Sequence, residues 1–149
     1  MEYLLTYRSA VTEDWPVIES LLLASSLPLD GARDHLEDFL VGETGGATCC
    51  VGRYERYGDV ALLRSLAVTE RMRGQGLGKQ LLDAIKARAR SHGIDRLYLL
   101  TTAAADFFSQ HGFSSVERCC APAALHASHQ LQGACPASAT LMIARLGLP

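Results

Sequence analysis

Apolar positions along the chain recur with two periods, one suited to strands and one to helices. Residues 3–8 (YLLTYR) form a short strand-like run. Thr12 follows as an N-cap candidate, and Trp15, Ile18, Leu21 and Leu22 then share one helical face. Glu13 and Asp14 suit the positive end of that helix. Ser25-Ser26-Leu27-Pro28 breaks it. Asp30 is placed to cap a second, short helix with Leu36, Phe39 and Leu40 on one face, ended by residues 42–46. Residues 47–54 and 59–68 read as two strands of an antiparallel hairpin turning near Tyr57-Gly58-Asp59. Leu77, Leu81, Ile85 and Ala89 then recur at helical spacing, with Lys79, Asp83, Lys86 and Arg90 on much of the other surface and Gly93 as C-cap. Residues 96–101 (RLYLLT) read as a strand parallel to 59–68, reached by a right-handed crossover. A short helix over 103–111, a strand over 114–118, helical turns within 122–129 and a last strand over 139–146 complete the succession β-α-α-β-β-α-β-α-β-β.

Composition narrows the class of protein. The 149 residues suffice for one domain with a single core, and the formal net charge is −2. That balance offers no electrostatic reason to expect nucleic acid or an anionic membrane as partner. No apolar run has the length of a membrane span, and MEYLLTYRSAVTED has none of the parts of a signal peptide, so the cytoplasm is the expected location. The five cysteines, Cys49, Cys50, Cys119, Cys120 and Cys135, are odd in number and contain no Cys-x-x-Cys, which favours reduced thiols. No standard zinc spacing links them to His126 or His129, and adjacent strand side chains point to opposite faces, so no metal or metalloid site is expected. His35, His92 and His111 read as surface or capping residues.

The chemistry concentrates in residues 61–79, ALLRSLAVTERMRGQGLGK. An apolar strand runs through a glycine-rich turn into a helix N-terminus. Glycines permit positive φ and close approach of a ligand, and the first helical amides lack intrahelical partners. Such a turn is an anion seat, above all for phosphate. A Walker A loop is a poor match, because Gln80 follows Gly78-Lys79 and Arg73 stands where the first glycine belongs. A Rossmann fingerprint fits Gly74 and Gly76 but meets Lys79 at its third position. A third pattern, Arg/Gln-x-x-Gly-x-Gly/Ala, is satisfied by Arg71-Met72-Arg73-Gly74-Gln75-Gly76. On these residues the sequence resembles the GNAT family of N-acetyltransferases.

The resemblance implies an α+β GNAT fold over nearly the whole chain, with a mixed central sheet of about six to seven strands flanked by about four helices. It implies acetyl-CoA as cofactor and a primary amine as acceptor. Arg71, Arg73, Gly74, Gln75, Gly76, Leu77, Gly78 and Lys79 correspond to the loop that cradles pyrophosphate, and Leu66, Ala67 and Val68 to the strand that pairs with pantetheine. Thr101 and Thr102 end the next strand, where relatives carry polar contacts to substrate and cofactor. Phe107-Phe108-Ser109-Gln110-His111-Gly112-Phe113 matches a second family motif except that Phe108 replaces a tyrosine whose hydroxyl protonates the departing CoA thiolate in relatives. A thiolate is a tolerable leaving group near neutral pH, so the loss does not preclude turnover. The expectation is that Phe107 packs in the core and Phe108 forms an apolar wall beside the CoA sulfur. The pair of segments joined by SSLPLDG resembles the family's variable substrate side.

Arg64 is a charge inside an apolar strand, which is costly unless paired. It is read equally as a structural ion pair or as a grip on an anionic group of the substrate. Ser65, on the opposite face if the strand is regular, is a further substrate-side candidate, and Arg118 a weaker anion site. No catalytic base is identified; Glu43, Glu55 and Asp30 are the carboxylates in substrate-side segments. Within the family, LLRSLAV, RGQGLG, LYLLTTAAADFFSQHGF and the segment Cys135 to Ala139 resemble small N-acetyltransferases of bacterial arsenic-resistance operons. That implies an amino-acid-like arsenical as the amine. The alternatives are a different amine, a protein amine, or a non-catalytic acyl-CoA sensor, the last kept open by Phe108. A small-molecule partner is expected, and a homodimer is compatible with the sequence.

Overall fold

A computed structural model describes residues 5–25, 27, 29, 31–74, 76–127 and 139–147. Its strands are β1 (Thr6–Ser9), β2 (Leu40–Thr44), β3 (Ala47–Tyr57), β4 (Val60–Val68), β5 (Arg96–Thr101), β6 (Ser114–Val116) and β7 (Thr140–Arg145). Its α-helices are α1 (Trp15–Ala24), α2 (Leu77–Ser91) and α3 (Ala105–Ser109). The strands lie in the order β1-β2-β3-β4-β5-β7-β6, with β4 and β5 parallel and β5-β7, β6-β7, β1-β2 and β2-β3 antiparallel. This is the mixed α+β sheet expected. No helix among the described residues is long and apolar enough to cross a membrane.

The chain divides into two compact units, Met1–Tyr54 with Arg64–Ile85, and Glu55–Leu63 with Lys86–Pro149. In the first, Ile18, Leu22, Phe39, Val41 and Val51 are fully buried and pack together with Ala67. The end of β1 is fastened by Arg8, which donates to both oxygens of Asp14 (2.7 and 2.8 Å) and to Glu43. These bonds hold the Asp14 carboxyl below its usual range. Gly52 lets α2 pack close, because a Cβ there would come within 2.6 Å of Ile85 Cδ1 and force that side chain to shift. Leu77, Leu81, Ile85 and Ala89, the stripe predicted for α2, are all buried.

In the second unit, Val60, Leu62, Tyr98, Leu125 and Leu141 form a core. The pairs Val60–Arg96, Ala61–Leu97 and Leu62–Tyr98 set the parallel register. Gly93, at φ +82°, closes α2 as predicted, and the Ile94 amide donates back to Ala89 O (3.0 Å).

Two expectations fail in the segment after α1. The second helix is a 3-10 segment, Arg33–Asp38, and it stops before Phe39. Leu40–Thr44, assigned by spacing to the end of that helix and its break, is β2. Both Leu40 and Val41 are buried, so the period of two that marks a half-exposed strand is absent. The cap expected at Asp30 lies outside the described residues. At the C-terminal side, Cys119 and Cys120 are exposed in a 3-10 turn (Arg118–Cys120), so the strand geometry invoked for them does not apply. Cys135 and His129 lie outside the described residues. Among the described residues no group of three or more His, Cys, Asp or Glu is arranged to hold a metal ion.

Candidate functional site: a strand end, a glycine turn and a helix N-terminus

β4 is not a regular strand. Ser65 has φ +61°, the only positive φ outside glycine among the described residues. For a residue with a Cβ this conformation costs about 1–2 kcal/mol. The left-handed backbone at Ser65 departs from the extended geometry that sets Ser65 simply opposite Arg64. Residues on either side keep distinct environments: Ala67 joins the core beneath α1, while a Leu66 methyl lies on the Gly52 side with Ile85. Arg64 is 5% exposed and Ser65 half-buried. Strain of this kind is kept where surrounding structure over-determines it, and it clusters at functional positions.

After β4 the chain is braced rather than loose. The Thr69 amide donates to Cys49 O (2.8 Å), and the Met72 and Arg73 amides close a short 3-10 turn on Thr69 O and Glu70 O. Arg73, expected to face the cofactor, donates instead to Val68 O (3.2 Å) and Ser25 Oγ (3.1 Å), tying the loop to the strand it leaves and to the end of α1. Val68 O is therefore already engaged by the protein. Arg71 belongs to the same turn; its side chain, and Gln75 as a whole, lie outside the described residues.

The glycines carry the cradle. Gly74 and Gly76 both have φ +79°, and a Cβ built on either would meet nothing within 4 Å. The backbone is thus bare and open. Gly76 O accepts the first helical bond, from the Gln80 amide (3.2 Å), so the amides of Leu77, Gly78 and Lys79 have no intrahelical acceptor. These amides, with the partial positive charge of a 15-residue helix behind them, form an anion seat. Leu77 contributes only its backbone: its side chain is 1% exposed and packs with Cys49 and Met72. Lys79 is exposed and pairs with Asp83 (3.0 Å).

The remaining predicted residues have other tasks. Thr101 Oγ1 accepts from the Ala104 amide (3.0 Å), capping the entry to α3, while Thr102 is exposed. Phe107 is not the core residue of the pair, as expected of it. Phe108 is the buried one, at 7% exposure, edge-on to Phe113, and Phe107 is half-buried against His111. On a short helix followed by Gly112, it is Phe108 whose ring meets the core residue Phe113. Arg118 donates to Ala139 O (3.1 Å). Of the candidate bases, Glu43 is ion-paired to Arg8, and Glu55 accepts from Tyr57 Oη (3.0 Å). A cavity of about 770 Å³ between the start of α1 and the 3-10 segment, lined by Trp15, Arg33 and Glu37 among others, borders none of the predicted site residues.

One residue escapes the sequence reading. Arg53 on β3 is 1% exposed, with its guanidinium 5.7 Å from the centroid of Phe39. Its signal was available: Cys49, Val51 and Arg53 share a period of two, so an arginine continues an apolar face, the criterion that singles out Arg64.

Comparison with known proteins agrees with this geometry. A family model described as an acetyltransferase (GNAT) domain matches residues 35–115. An amino-acid acetyltransferase of Pseudomonas fluorescens (strain Pf0-1) is 40% identical over 88 residues, covering 56% of this chain and 20% of that protein. An uncharacterized N-acetyltransferase of Chlorobaculum tepidum is 29% identical over 112 residues, covering 74% of this chain and 69% of that one. The chain therefore spans about a fifth of the length of the first relative. In structure, N-acetylglutamate synthase from Neisseria gonorrhoeae, complexed with coenzyme A and N-acetyl-glutamate, superposes with a TM-score of 0.84 at 24% identity, over 99% of this chain and 36% of that one. A Mycobacterium tuberculosis protein in complex with CoA superposes with a TM-score of 0.78 at 22% identity, over 94% and 98% of the two chains. With the family model spanning more than half of its residues, and a glycine turn and helix N-terminus of the kind described, the chain belongs to the GNAT family of acetyltransferases.

Proposed function

We propose that this chain is a single-domain, acetyl-CoA-dependent N-acetyltransferase for the primary amine of a small amino-acid-like molecule. The observation that carries the reading is the bare cradle at Gly74 and Gly76, opening onto the amides of Leu77, Gly78 and Lys79, which have no acceptor within the helix. A Cβ at either glycine would enter that space, so the residues present fit a pyrophosphate. When bound, acetyl-CoA supplies an activated acetyl group as a thioester. The chain's own part is to hold the phosphates at this helix end and to present the strained main chain around Ser65 and Leu66 for positioning the acyl chain.

Transfer is direct. Cys50 is buried and its thiol is pushed up to about 12, chiefly by burial, so it is no acyl acceptor at neutral pH. Arg64 anchors an anionic group of the acceptor, and the amine loses its proton to solvent, since Glu43 is committed to Arg8. Phe108 cannot protonate the leaving thiolate, and water does so. The amino-acid acetyltransferases among the relatives support an amino-acid-like acceptor, and the resemblance of LLRSLAV and RGQGLG to arsenic-resistance acetyltransferases extends the class to amino-acid-like arsenicals.

The test is thiol release from acetyl-CoA with a panel of α-amino acids, their amides, amino-acid-like arsenicals and simple alkylamines. Release with acidic amino compounds and not with alkylamines is expected. Acetyl-CoA binding without release across the whole panel would instead support a sensor.

A further inference from the structure

Arg53 and Arg64 belong to neighbouring strands, and the hairpin between them fixes their relation. β3 ends at Tyr57 and β4 begins at Val60, leaving the two-residue turn Gly58-Asp59, with Gly58 at φ +72°. A two-residue loop sets Tyr57 opposite Val60. Counting back along an antiparallel hairpin sets Arg53 opposite Arg64. The packing agrees with this parity. Tyr57, Val60 and Leu62 share one cluster, and Arg64 follows Leu62 at the same period. Arg53 follows Val51, a member of the core beneath α1, and lies over Phe39 of that same core.

Two guanidinium groups, 1% and 5% exposed by residue, therefore face one side of the sheet as a cross-strand pair. Like charges in directly opposed positions repel, and burial strengthens the repulsion. Both arginines also take part in interactions within the fold, and each guanidinium carries five N–H donors in a planar fork. An oxyanion between two guanidinium forks turns the repulsion into attraction and matches their planar geometry. The neighbourhood suits a ligand: Arg64 directly precedes the strained Ser65, and Arg53 Nη2 lies 4.0 Å from where a Cβ on Gly31 would stand. Gly31, at φ +71°, leads into the 3-10 segment Arg33–Asp38.

We propose that Arg53 and Arg64 form one two-armed oxyanion site that selects acceptor amines bearing a carboxylate or a tetrahedral oxyacid group. This rests on the acetyltransferase reading and adds Arg53 as a specificity-determining residue.

The test is calorimetric binding of malonate, methylphosphonate and, separately, acetyl-CoA to the full chain, its Arg53→Met, Arg64→Met and Arg53→Lys variants, and the double Met variant. The wild type binds at least one oxyanion probe. Each Met substitution weakens that binding by about tenfold or more, and Arg53→Lys, which keeps the charge but loses the fork, falls between. The double variant loses less than the product of the two single losses, because both arms hold one anion. Acetyl-CoA binding is retained throughout, which also shows that the variants fold. Tighter malonate assigns a carboxylate, and tighter methylphosphonate a tetrahedral oxyacid. Binding of neither probe by the wild type, unchanged binding in Arg53→Met, or losses that simply multiply would overturn the paired site. Failure of the wild type to bind acetyl-CoA would overturn the acetyltransferase reading instead.

Discussion

Two glycine pairs in this chain have nearly the same backbone and opposite consequences. Gly45 and Gly46 (φ +60° and +79°) turn β2 back into β3, and Gly74 and Gly76 (both +79°) turn β4 into α2. A Cβ on any of the four would stand in open space. The difference lies in the backbone that follows. After Gly46 the chain enters the ladder, with Ala47 already opposite Thr44, so its polar groups are absorbed by β2. After Gly76 the chain enters a helix, and the amides of Leu77, Gly78 and Lys79 have no acceptor within it. Positive φ gives a turn; a binding site needs unspent donors beyond it.

The same substitution in each turn separates the two. In Gly76→Glu, bulk and negative charge enter the anion seat, and acetyl-CoA affinity should fall by at least about 100-fold, or about 2.7 kcal/mol, by calorimetry. In Gly46→Glu, the left-handed conformation should cost about 1–2 kcal/mol of stability in urea unfolding, with acetyl-CoA affinity unchanged. Equal losses of affinity would erase the distinction.

Ser65 sharpens it from the strand side. Valine is the better strand former, yet Ser65→Val should lower stability by about 1–2 kcal/mol, because a β-branched side chain is badly placed at φ +61°. A stabilised variant would mean that β4 straightens without penalty.

A smaller effect belongs to the β1-β2-β3 corner. Tyr7 and Cys50 are both pushed up to about 12, with burial the leading cause in each. A raised folded-state value keeps its stability contribution below the ordinary values of 10.0 and 9.0, and the contribution is lost as pH climbs toward about 12. Urea midpoints should hold steady near neutral pH and decline from about pH 9 upward. The Cys50→Ala protein should decline less steeply. A flat midpoint through that range would contradict the burial of these groups.

The glycine turn was legible in the sequence because its determinants are local: two glycines, an apolar strand before them and a helical stripe after. α2, the β3-β4 hairpin and β5 were legible for the same reason. β2 was not, because Leu36, Phe39 and Leu40 have helical spacing and both faces of Leu40–Thr44 begin buried. Gly45-Gly46, a two-residue hairpin signal, argued for the strand. The positive φ at Ser65 has no local signal, since serine fits a regular strand equally well. The burial of Phe108 rather than Phe107 follows from how α3 meets Phe113, which spacing within five residues does not determine. Arg53 was legible by period two, but Arg64 was the one surrounded by leucines.

The central claim is that Gly74, Gly76 and the amides of Leu77, Gly78 and Lys79 hold the phosphates of acetyl-CoA. Its most direct test is a thermal-shift titration of the wild-type chain with acetyl-CoA, run beside ATP and NADH. Stabilisation that rises with acetyl-CoA and is absent with the other two is the predicted result. No stabilisation at millimolar acetyl-CoA, or equal shifts with all three nucleotides, would contradict it.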